Sequence, residues 1–116
     1  EMTRLGTALG ARPETFAGLA GLGDLVTTCA SGLSRNHQVG REIGRGRALA
    51  DVLAEMGRVE AEGVQTTRSV VALARREGVE MPITHAVHAV LFEGKSPPEA
   101  LEGLMSRTPK PERAGA

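Results

Sequence analysis

The chain has 116 residues, of which 41% are hydrophobic and 24% are charged, the balance of an ordinary folded domain. Its 14 basic and 14 acidic side chains cancel to a formal net charge of zero, and it contains two Phe, no Tyr and no Trp. This composition argues against nucleic-acid binding, because it offers neither a broad positive field nor aromatic rings on which bases could stack.

The cysteine count and the hydropathy pattern predict the cellular setting. The single cysteine, Cys29, cannot form an internal disulfide, and no apolar run approaches the roughly 20 residues of a membrane span. We therefore expect a cytoplasmic protein with no membrane span, in which Cys29 is a small buried apolar residue. The chain opens on Glu1-Met2-Thr3-Arg4-Leu5, which reads as the middle of a helix, so we expect a piece of a longer protein.

Proline and glycine divide the chain into short segments with helical periodicity, which predicts an all-α fold. In chain order we expect helices over residues 1–9, 13–19, 22–30 (short and buried), 35–43, 49–56, 64–77, 82–93 and 97–105. The clearest helix starts are Ser34, a good N-cap, and the capping box Ser96-Pro97-Pro98-Glu99. In this interpretation residues 1–108 form one helical domain and residues 109–116 a flexible tail.

Three polar residues, Ser34, Arg35 and Asn36, stand at the start of the predicted fourth helix, directly after a glycine-rich stretch. A helix N-terminus exposes unpaired N–H groups and attracts anions, above all phosphate. A guanidinium binds phosphate through two parallel N–H groups, and the serine hydroxyl and asparagine amide add further donors. The alternative is that Ser34 is only an N-cap and Arg35 only a solvated side chain.

Two carboxylates are further candidates for a site. Asp24 stands in an otherwise apolar segment, where a carboxylate must be paired or hydrogen-bonded, for example to a ligand hydroxyl or ammonium group. Its alternative role is to cap the helix that follows. Thr27 and Thr28 could add hydroxyls to the same site or serve only in local packing. Glu62 stands where the helical pattern of apolar residues between Met56 and Val70 is interrupted. It could be held at a helix start and face a ligand, or it could be a solvated side chain.

Complete catalytic motifs are missing from the sequence. His85 and His88 have a spacing compatible with metal ligation, but no third ligand accompanies them, and we expect no metal site. The chain has no GxGxxG in a strand-helix unit, no P-loop and no nucleophile with its base. We expect half of an active site, or alternatively a non-catalytic helical protein-interaction module with an exposed apolar face over residues 82–93.

Two stretches, PETFAGLAGLGDLVTTCASGLSRNHQVGREIGRG at residues 13–46 and EAEGVQT at 60–66, resemble the C-terminal domain of the bacterial NAD(P)-dependent glycerol-3-phosphate dehydrogenases. The resemblance implies a multi-helical domain like that of the 6-phosphogluconate dehydrogenase-like superfamily, with the active site in a cleft against an N-terminal nucleotide-binding domain. It implies hydride transfer between NAD(P)H and dihydroxyacetone phosphate, which yields sn-glycerol 3-phosphate for phospholipid synthesis. An apolar face toward the missing domain could also drive self-association into a homodimer.

The same resemblance implies roles for individual residues on the substrate side. Asp24 belongs to the catalytic and substrate-binding cluster, while Ser34, Arg35 and Asn36 bind the glycerol phosphate. Thr28 is a further candidate on the substrate side. The family's proton-accepting lysine lies upstream of this chain, so we expect the isolated chain to be inactive.

For the cofactor, NAD or NADP, the resemblance implies contacts from Arg35, Glu60 and Glu62. Glu62 matches the family's glutamate before glycine. Many relatives carry an apolar residue at the position of Glu60.

Overall fold

In a computed structural model of the chain, residues 1–57 and 61–110 are described. Within these ranges the chain forms eight α-helices and one π-helical turn (Leu19–Gly23), which confirms the predicted all-α fold. The helices are α1 (Met2–Ala8), α2 (Pro13–Ala17), α3 (Asp24–Ala30), α4 (Arg35–Gly44), α5 (Leu49–Met56), α6 (Glu62–Glu77), α7 (Pro82–Phe92) and α8 (Pro97–Met105). None of these helices is both long enough and apolar enough to cross a bilayer.

Most helix ends lie close to the positions that the sequence predicts. α5 ends before Gly57 and α6 before Gly78, as expected. α4 begins directly after Ser34, whose Oγ accepts a hydrogen bond from the backbone N–H of His37 at 3.3 Å. Residues 111–116 of the predicted tail lie outside the described residues, and the domain boundary at 108 stays a prediction.

The π-helical turn between α2 and α3 was not predicted. Its signature is a hydrogen bond of 3.2 Å from the N–H of Gly23 to the carbonyl of Gly18, five residues earlier. The turn presses on α2 so closely that a Cβ added to Gly21 would lie 2.3 Å from the carbonyl oxygen of Phe16. Only glycine permits this approach of one backbone to another. Packing therefore explains at least one of the glycines in this stretch.

The segment from the π-helical turn through α3 lies at the surface, so the prediction of a short buried helix over residues 22–30 is wrong. The side chains of Leu22, Leu25 and Val26 are 56%, 45% and 58% exposed. Cys29 is also exposed, contrary to the prediction that it is buried. The reason is that α3 packs chiefly on the π-helical turn and contributes no buried residue to the core.

Two clusters of buried side chains hold the helices together. The larger cluster joins α4, α5 and the start of α6 through Val39, Ile43, Val52, Ala61 and Val64. The smaller cluster joins α1, the end of α6 and the loop before α7 through Leu5, Ala74 and Met81. Because α6 contributes to both clusters, it is the central helix of the domain, and α1, α4 and α7 pack on it.

Glu1 fastens α1 to the start of α7. Its carboxylate accepts hydrogen bonds from the backbone N–H groups of Ile83 and Thr84, at 2.6 and 3.0 Å, and from the Thr84 hydroxyl at 2.8 Å. The N-cap residue of α7, Met81, supplies no side-chain acceptor. Glu1 thus satisfies N–H groups that the first turn of α7 cannot pair within the helix.

The predicted capping box at the start of α8 is confirmed. The Oγ of Ser96 accepts a hydrogen bond from the N–H of Glu99 at 3.4 Å. The Glu99 carboxylate accepts bonds from the Ser96 hydroxyl at 2.6 Å and from the Ser96 N–H at 3.0 Å. These bonds from the side chain and backbone of Ser96 hold the pKa of Glu99 below its usual value.

Replacement of Glu99 by Gln is expected to remove a pH-dependent part of the stability. Because folding lowers the pKa of Glu99, its carboxylate stabilises the native chain in full above the ordinary carboxyl pKa. This contribution is lost as the pH falls through the lowered value. Urea unfolding should therefore show a stability difference between the two chains at neutral pH that closes in acid.

The matched control for this measurement is Glu102→Gln, because Glu102 is exposed on the same helix. This substitution should produce little change at either pH. A Glu99→Gln difference that persists unchanged in acid would contradict the expected role of the carboxylate.

Candidate functional site

The N-termini of α4 and α6 border an open polar cavity of about 400 Å³ near the end of α3. Its lining residues are Thr27, Thr28, Ser31, Leu33, Ser34, Arg35, Asn36 and Glu62. We call this space the polar cavity. The fold thus brings Glu62 to the same surface as the Ser34-Arg35-Asn36 group, although more than 25 residues separate them in the sequence.

Asn36 joins the N-termini of α4 and α6. Its Oδ1 accepts a hydrogen bond of 3.0 Å from the backbone N–H of Gly63. A Cβ added to Gly63 would lie 2.7 Å from this oxygen, so only glycine allows the side chain of Asn36 to lie where it does. Because Arg35 precedes Asn36 and Glu62 precedes Gly63, the bond holds the cation and the carboxylate beside the same cavity.

Hydrogen bonds fix the loop that enters α4. The Ser31 Oγ accepts from the N–H of Leu33 at 3.2 Å, and the Gln38 Nε2 donates to the carbonyl of Gly32 at 3.2 Å. Ser34 caps α4 through the N–H of His37. The N–H groups of Arg35 and Asn36, which precede that of His37, have no protein acceptor in the described part of the chain. They are donors that an anion could use.

Arg35 and Glu62 give the polar cavity one cation and one carboxylate. Both residues are exposed, and no ion pair within 4.0 Å joins them. Arg45 and Arg47 behave differently, because both bind the carboxylate of Glu42, at 2.8 and 3.4 Å. A guanidinium and a carboxylate that share a cavity without pairing suit a ligand that carries both an anionic group and hydroxyls.

Asp24 begins α3 but is not among the residues that line the polar cavity. It is exposed, and its carboxylate has no hydrogen-bond or ion-pair partner among the described residues. The prediction that its surroundings force the carboxylate to pair is therefore wrong, because the neighbouring leucines are themselves exposed. The capping alternative also fails, since the N-cap of α3 is Gly23 and no side chain caps it.

Asp24 nevertheless lies one helical turn before the cavity wall. Thr28 follows it by four residues on α3, and residues with this spacing are neighbours on one helix face. The helix spacing thus places Asp24 one turn from a residue that lines the polar cavity. Glu60, the other carboxylate implied by the resemblance, lies outside the described residues, and its role stays a prediction.

Two lining residues, Ser31 and Leu33, were not assigned to the site from the sequence. Leu33 is 88% exposed, which is unusual for a leucine, and Ser31 forms part of the loop that enters α4. The sequence signal that could have found them is their position just before Ser34, the N-cap of α4. In the described residues no group of three or more His, Cys, Asp or Glu could hold a metal ion.

Replacement of Gly63 by Ala is expected to displace the side chain of Asn36, because the new Cβ would lie 2.7 Å from Oδ1. Loss of the hydrogen bond should cost about 1 kcal/mol, offset in part by the higher helix propensity of alanine. NMR should show a large shift of the Asn36 side-chain amide signals, with a small net change in unfolding free energy.

The control is Gly40→Ala, because a Cβ at Gly40 would meet nothing within 4 Å. This change should leave the Asn36 amide signals in place. If Gly63→Ala also left them in place, the hydrogen bond would not hold the two helix starts together.

The fold and the site define the chain as an all-helical domain with an open polar cavity at two helix N-termini. The family model for the NAD-dependent glycerol-3-phosphate dehydrogenase C-terminus matches residues 1–102. The chain belongs to this family, which confirms the resemblance seen in the sequence.

The relatives that match this chain are much longer than it is. A glycerol-3-phosphate dehydrogenase (NAD(P)+) of Geobacter sulfurreducens is 60% identical over 113 residues, which are 97% of this chain and 33% of the relative. One from Koribacter versatilis is 59% identical over 107 residues, 92% of this chain and 32% of the relative. The crystal structure of glycerol-3-phosphate dehydrogenase from Coxiella burnetii matches with a TM-score of 0.86 and 40% identity, over 91% of this chain and 32% of that chain. The chain thus spans about one third of these relatives.

Proposed function

We propose that the chain is the substrate-binding part of an NAD(P)-dependent glycerol-3-phosphate dehydrogenase, which interconverts dihydroxyacetone phosphate and sn-glycerol 3-phosphate. In the cell this enzyme would work in the cytoplasm and supply a precursor of phospholipids. The observation that carries the proposal is the placement of Arg35 and the first turn of α4 in one cavity with Glu62. Membership of the family supplies the reaction, and the cavity supplies a chemically suitable place for the substrate.

The phosphate group would bind at the Arg35 end of the polar cavity. The guanidinium donates two N–H groups to phosphate oxygens, and the N–H groups at the start of α4 add further donors along the positive end of the helix dipole. The Ser34 hydroxyl can donate to the same group while its oxygen caps the helix. The amide NH₂ of Asn36 is also a donor, since only its oxygen is used by Gly63.

The glycerol end of the substrate would lie toward α3. The Thr28 hydroxyl lines the cavity on that side, and Asp24 lies one turn away. An exposed carboxylate there can accept a hydrogen bond from a substrate hydroxyl or pair with a cation supplied by the rest of the enzyme. We therefore assign Asp24 to the catalytic and substrate-binding cluster.

Glu62 and Arg35, which line the polar cavity, also suit contact with one part of a nicotinamide cofactor. The exposed Glu62 carboxylate can accept hydrogen bonds from ribose hydroxyls or an amide, and Arg35 can reach an anionic group. When bound, NAD(P)H supplies the hydride of the reaction. Glu60 would contribute beside Glu62.

An N-terminal nucleotide-binding domain would complete the site. A suitable surface for it is the apolar face of the π-helical turn and α3, where Leu19 is 91% exposed and Leu22, Leu25 and Val26 are also largely exposed. Exposed apolar surface of this kind is typical of an interface. The isolated chain would then bind substrate without turning it over.

Replacement of Arg35 by Ala is expected to weaken binding of glycerol 3-phosphate to this chain at least tenfold, because the guanidinium contributes charge-assisted hydrogen bonds. The melting temperature should barely change, since Arg35 is exposed and has no ion-pair partner among the described residues. Isothermal titration and thermal unfolding measure the two quantities.

The matched control is Arg41→Ala, on the same helix, where the arginine lies 3.8 Å from Glu42 and does not line the polar cavity. Its effect on binding should stay below twofold. Equal losses of affinity in the two variants would point to general electrostatics and against a phosphate site at Arg35.

A chimera tests the assignment to the enzyme. The matching third of the Geobacter sulfurreducens relative would be replaced by this chain, and oxidation of NADH or NADPH with dihydroxyacetone phosphate would be followed by absorbance. We expect activity in the chimera, none in the chain alone, and a loss of at least tenfold with Asp24→Asn. A folded chimera without activity would argue against the assignment.

The exposed apolar residues of α7 are the one observation that favours a protein-interaction module instead. Ile83 and Val87 are 58% and 43% exposed, and α7 has no buried residue. A module with no ligand of its own would give no heat of binding with glycerol 3-phosphate. Light scattering would then show whether this surface drives association into a dimer.

A further inference from the structure

Residues 31–34 form a tight turn that leads into α4 and contributes to the wall of the polar cavity. The N–H of Ser34 donates to the carbonyl of Ser31 at 3.2 Å, which closes the turn. Neither of the two central residues, Gly32 and Leu33, has a positive φ, and a Cβ at Gly32 would meet nothing within 4 Å. Since close packing at Gly32 does not fix this turn, its hydrogen bonds decide how firmly it is held.

Gln38 holds the turn against α4. Its side-chain Nε2 donates to the carbonyl of Gly32 at 3.2 Å, and its backbone N–H donates to the carbonyl of Ser34 at 3.0 Å. Two other bonds, from the N–H of Leu33 to the Ser31 Oγ and from the N–H of Ser34 to the Ser31 carbonyl, lie within the turn itself. The side chain of Gln38 thus adds the bond that joins the middle of the turn to the helix.

The Gln38 side chain does not line the polar cavity. Gln38 is half-buried and lines a different cavity, beside the ion pairs of Glu42. The residues on either side of Gly32, which are Ser31 and Leu33, do line the polar cavity. An effect of the Gln38 side chain on a ligand in the polar cavity would therefore pass through the turn.

The turn directly precedes the donors assigned to phosphate. Ser34 ends the turn and caps α4, and the next two N–H groups, those of Arg35 and Asn36, have no protein acceptor in the described part of the chain. A loop that is already ordered loses less conformational entropy when a ligand binds to it. A turn that is fixed before the ligand arrives therefore favours binding of the phosphate.

We propose that Gln38 is a positioning residue for the phosphate end of the substrate. Its side chain holds the carbonyl of Gly32, and the turn then places the Ser34 hydroxyl beside the free N–H groups of α4. This inference rests on the proposed function, which puts the phosphate at Arg35. Because the phosphate is bound equally in the substrate and in the transition state, the loss of its positioning should raise KM and leave kcat nearly unchanged.

The test replaces Gln38 by Met, which has a similar length, is a good helix former and cannot donate a hydrogen bond. Isothermal titration of this chain would use glycerol 3-phosphate and inorganic phosphate. Both ligands should bind about fivefold less tightly to Gln38→Met, because the loss of one hydrogen bond acts on the phosphate group that they share. The amide hydrogens of Leu33 and Ser34 should also exchange faster with solvent.

A second variant and a matched control accompany this measurement. Gln38→Ala removes the same donor with a shorter side chain and should give the same loss of affinity. The control is Gln65→Met, because Gln65 is exposed on α6 and does not line the polar cavity. This control should change the affinity for either ligand by less than twofold.

The chimera with the Geobacter sulfurreducens relative separates positioning from a merely structural role. In the chimera, Gln38→Met should raise KM for dihydroxyacetone phosphate about fivefold and change kcat by less than twofold. A merely structural role would reduce the amount of active enzyme, which lowers the apparent kcat and leaves KM unchanged.

The outcomes distinguish this inference from the proposed function. If the unaltered chain binds neither ligand, the phosphate site fails and the role of Gln38 fails with it. If the chain binds both ligands and the two Gln38 variants bind them equally well, only the positioning role is overturned. An equal loss of affinity in Gln65→Met, or a fall in kcat at constant KM, would also overturn it.

Discussion

The hydrogen bond between the Asn36 side chain and the backbone N–H of Gly63 sets the geometry of the site. It exists only because position 63 has no Cβ, and it ties together the starts of two helices that are distant in the sequence. Asn36 also lines two cavities of opposite character, one polar and one apolar. A single side chain thus positions the Arg35 and Glu62 pair and lies between the polar cavity and a second, apolar cavity.

Stability and binding use different parts of this small domain. No polar or charged residue is buried among the described residues, and the core consists of two apolar clusters centred on α6. Ion pairs such as Arg47 with Glu42 and Glu55 lie at the surface, where such pairs contribute little to stability. Arg35 and Glu62, the charged residues of the polar cavity, form no ion pair among the described residues, which leaves both side chains available to a ligand.

Local rules predicted the helices well where the signal lay within a few residues. The N-cap at Ser34, the capping box at Ser96 and the four-residue spacing of Val39 and Ile43 all depend on neighbours along one helix. The same rules predicted helices over residues 13–19 and 22–30, but they missed the π-helical turn between them and the exposure of the second helix. There the contact of Gly21 with the backbone of Phe16 produces a π-helical turn, and the turn holds α3 at the surface, so that Leu25 and Cys29 are exposed.

The sequence by itself determined the all-α fold, the helix starts and the family, because periodicity, capping residues and a long shared motif are readable along the chain. It also singled out Arg35 and Glu62 as residue types suited to a ligand. Only the tertiary structure decided that these two line one cavity and that Asn36 ties the starts of their helices together. The reason is physical: this arrangement depends on how α4 packs against α6, and no local pattern specifies the distance between helices.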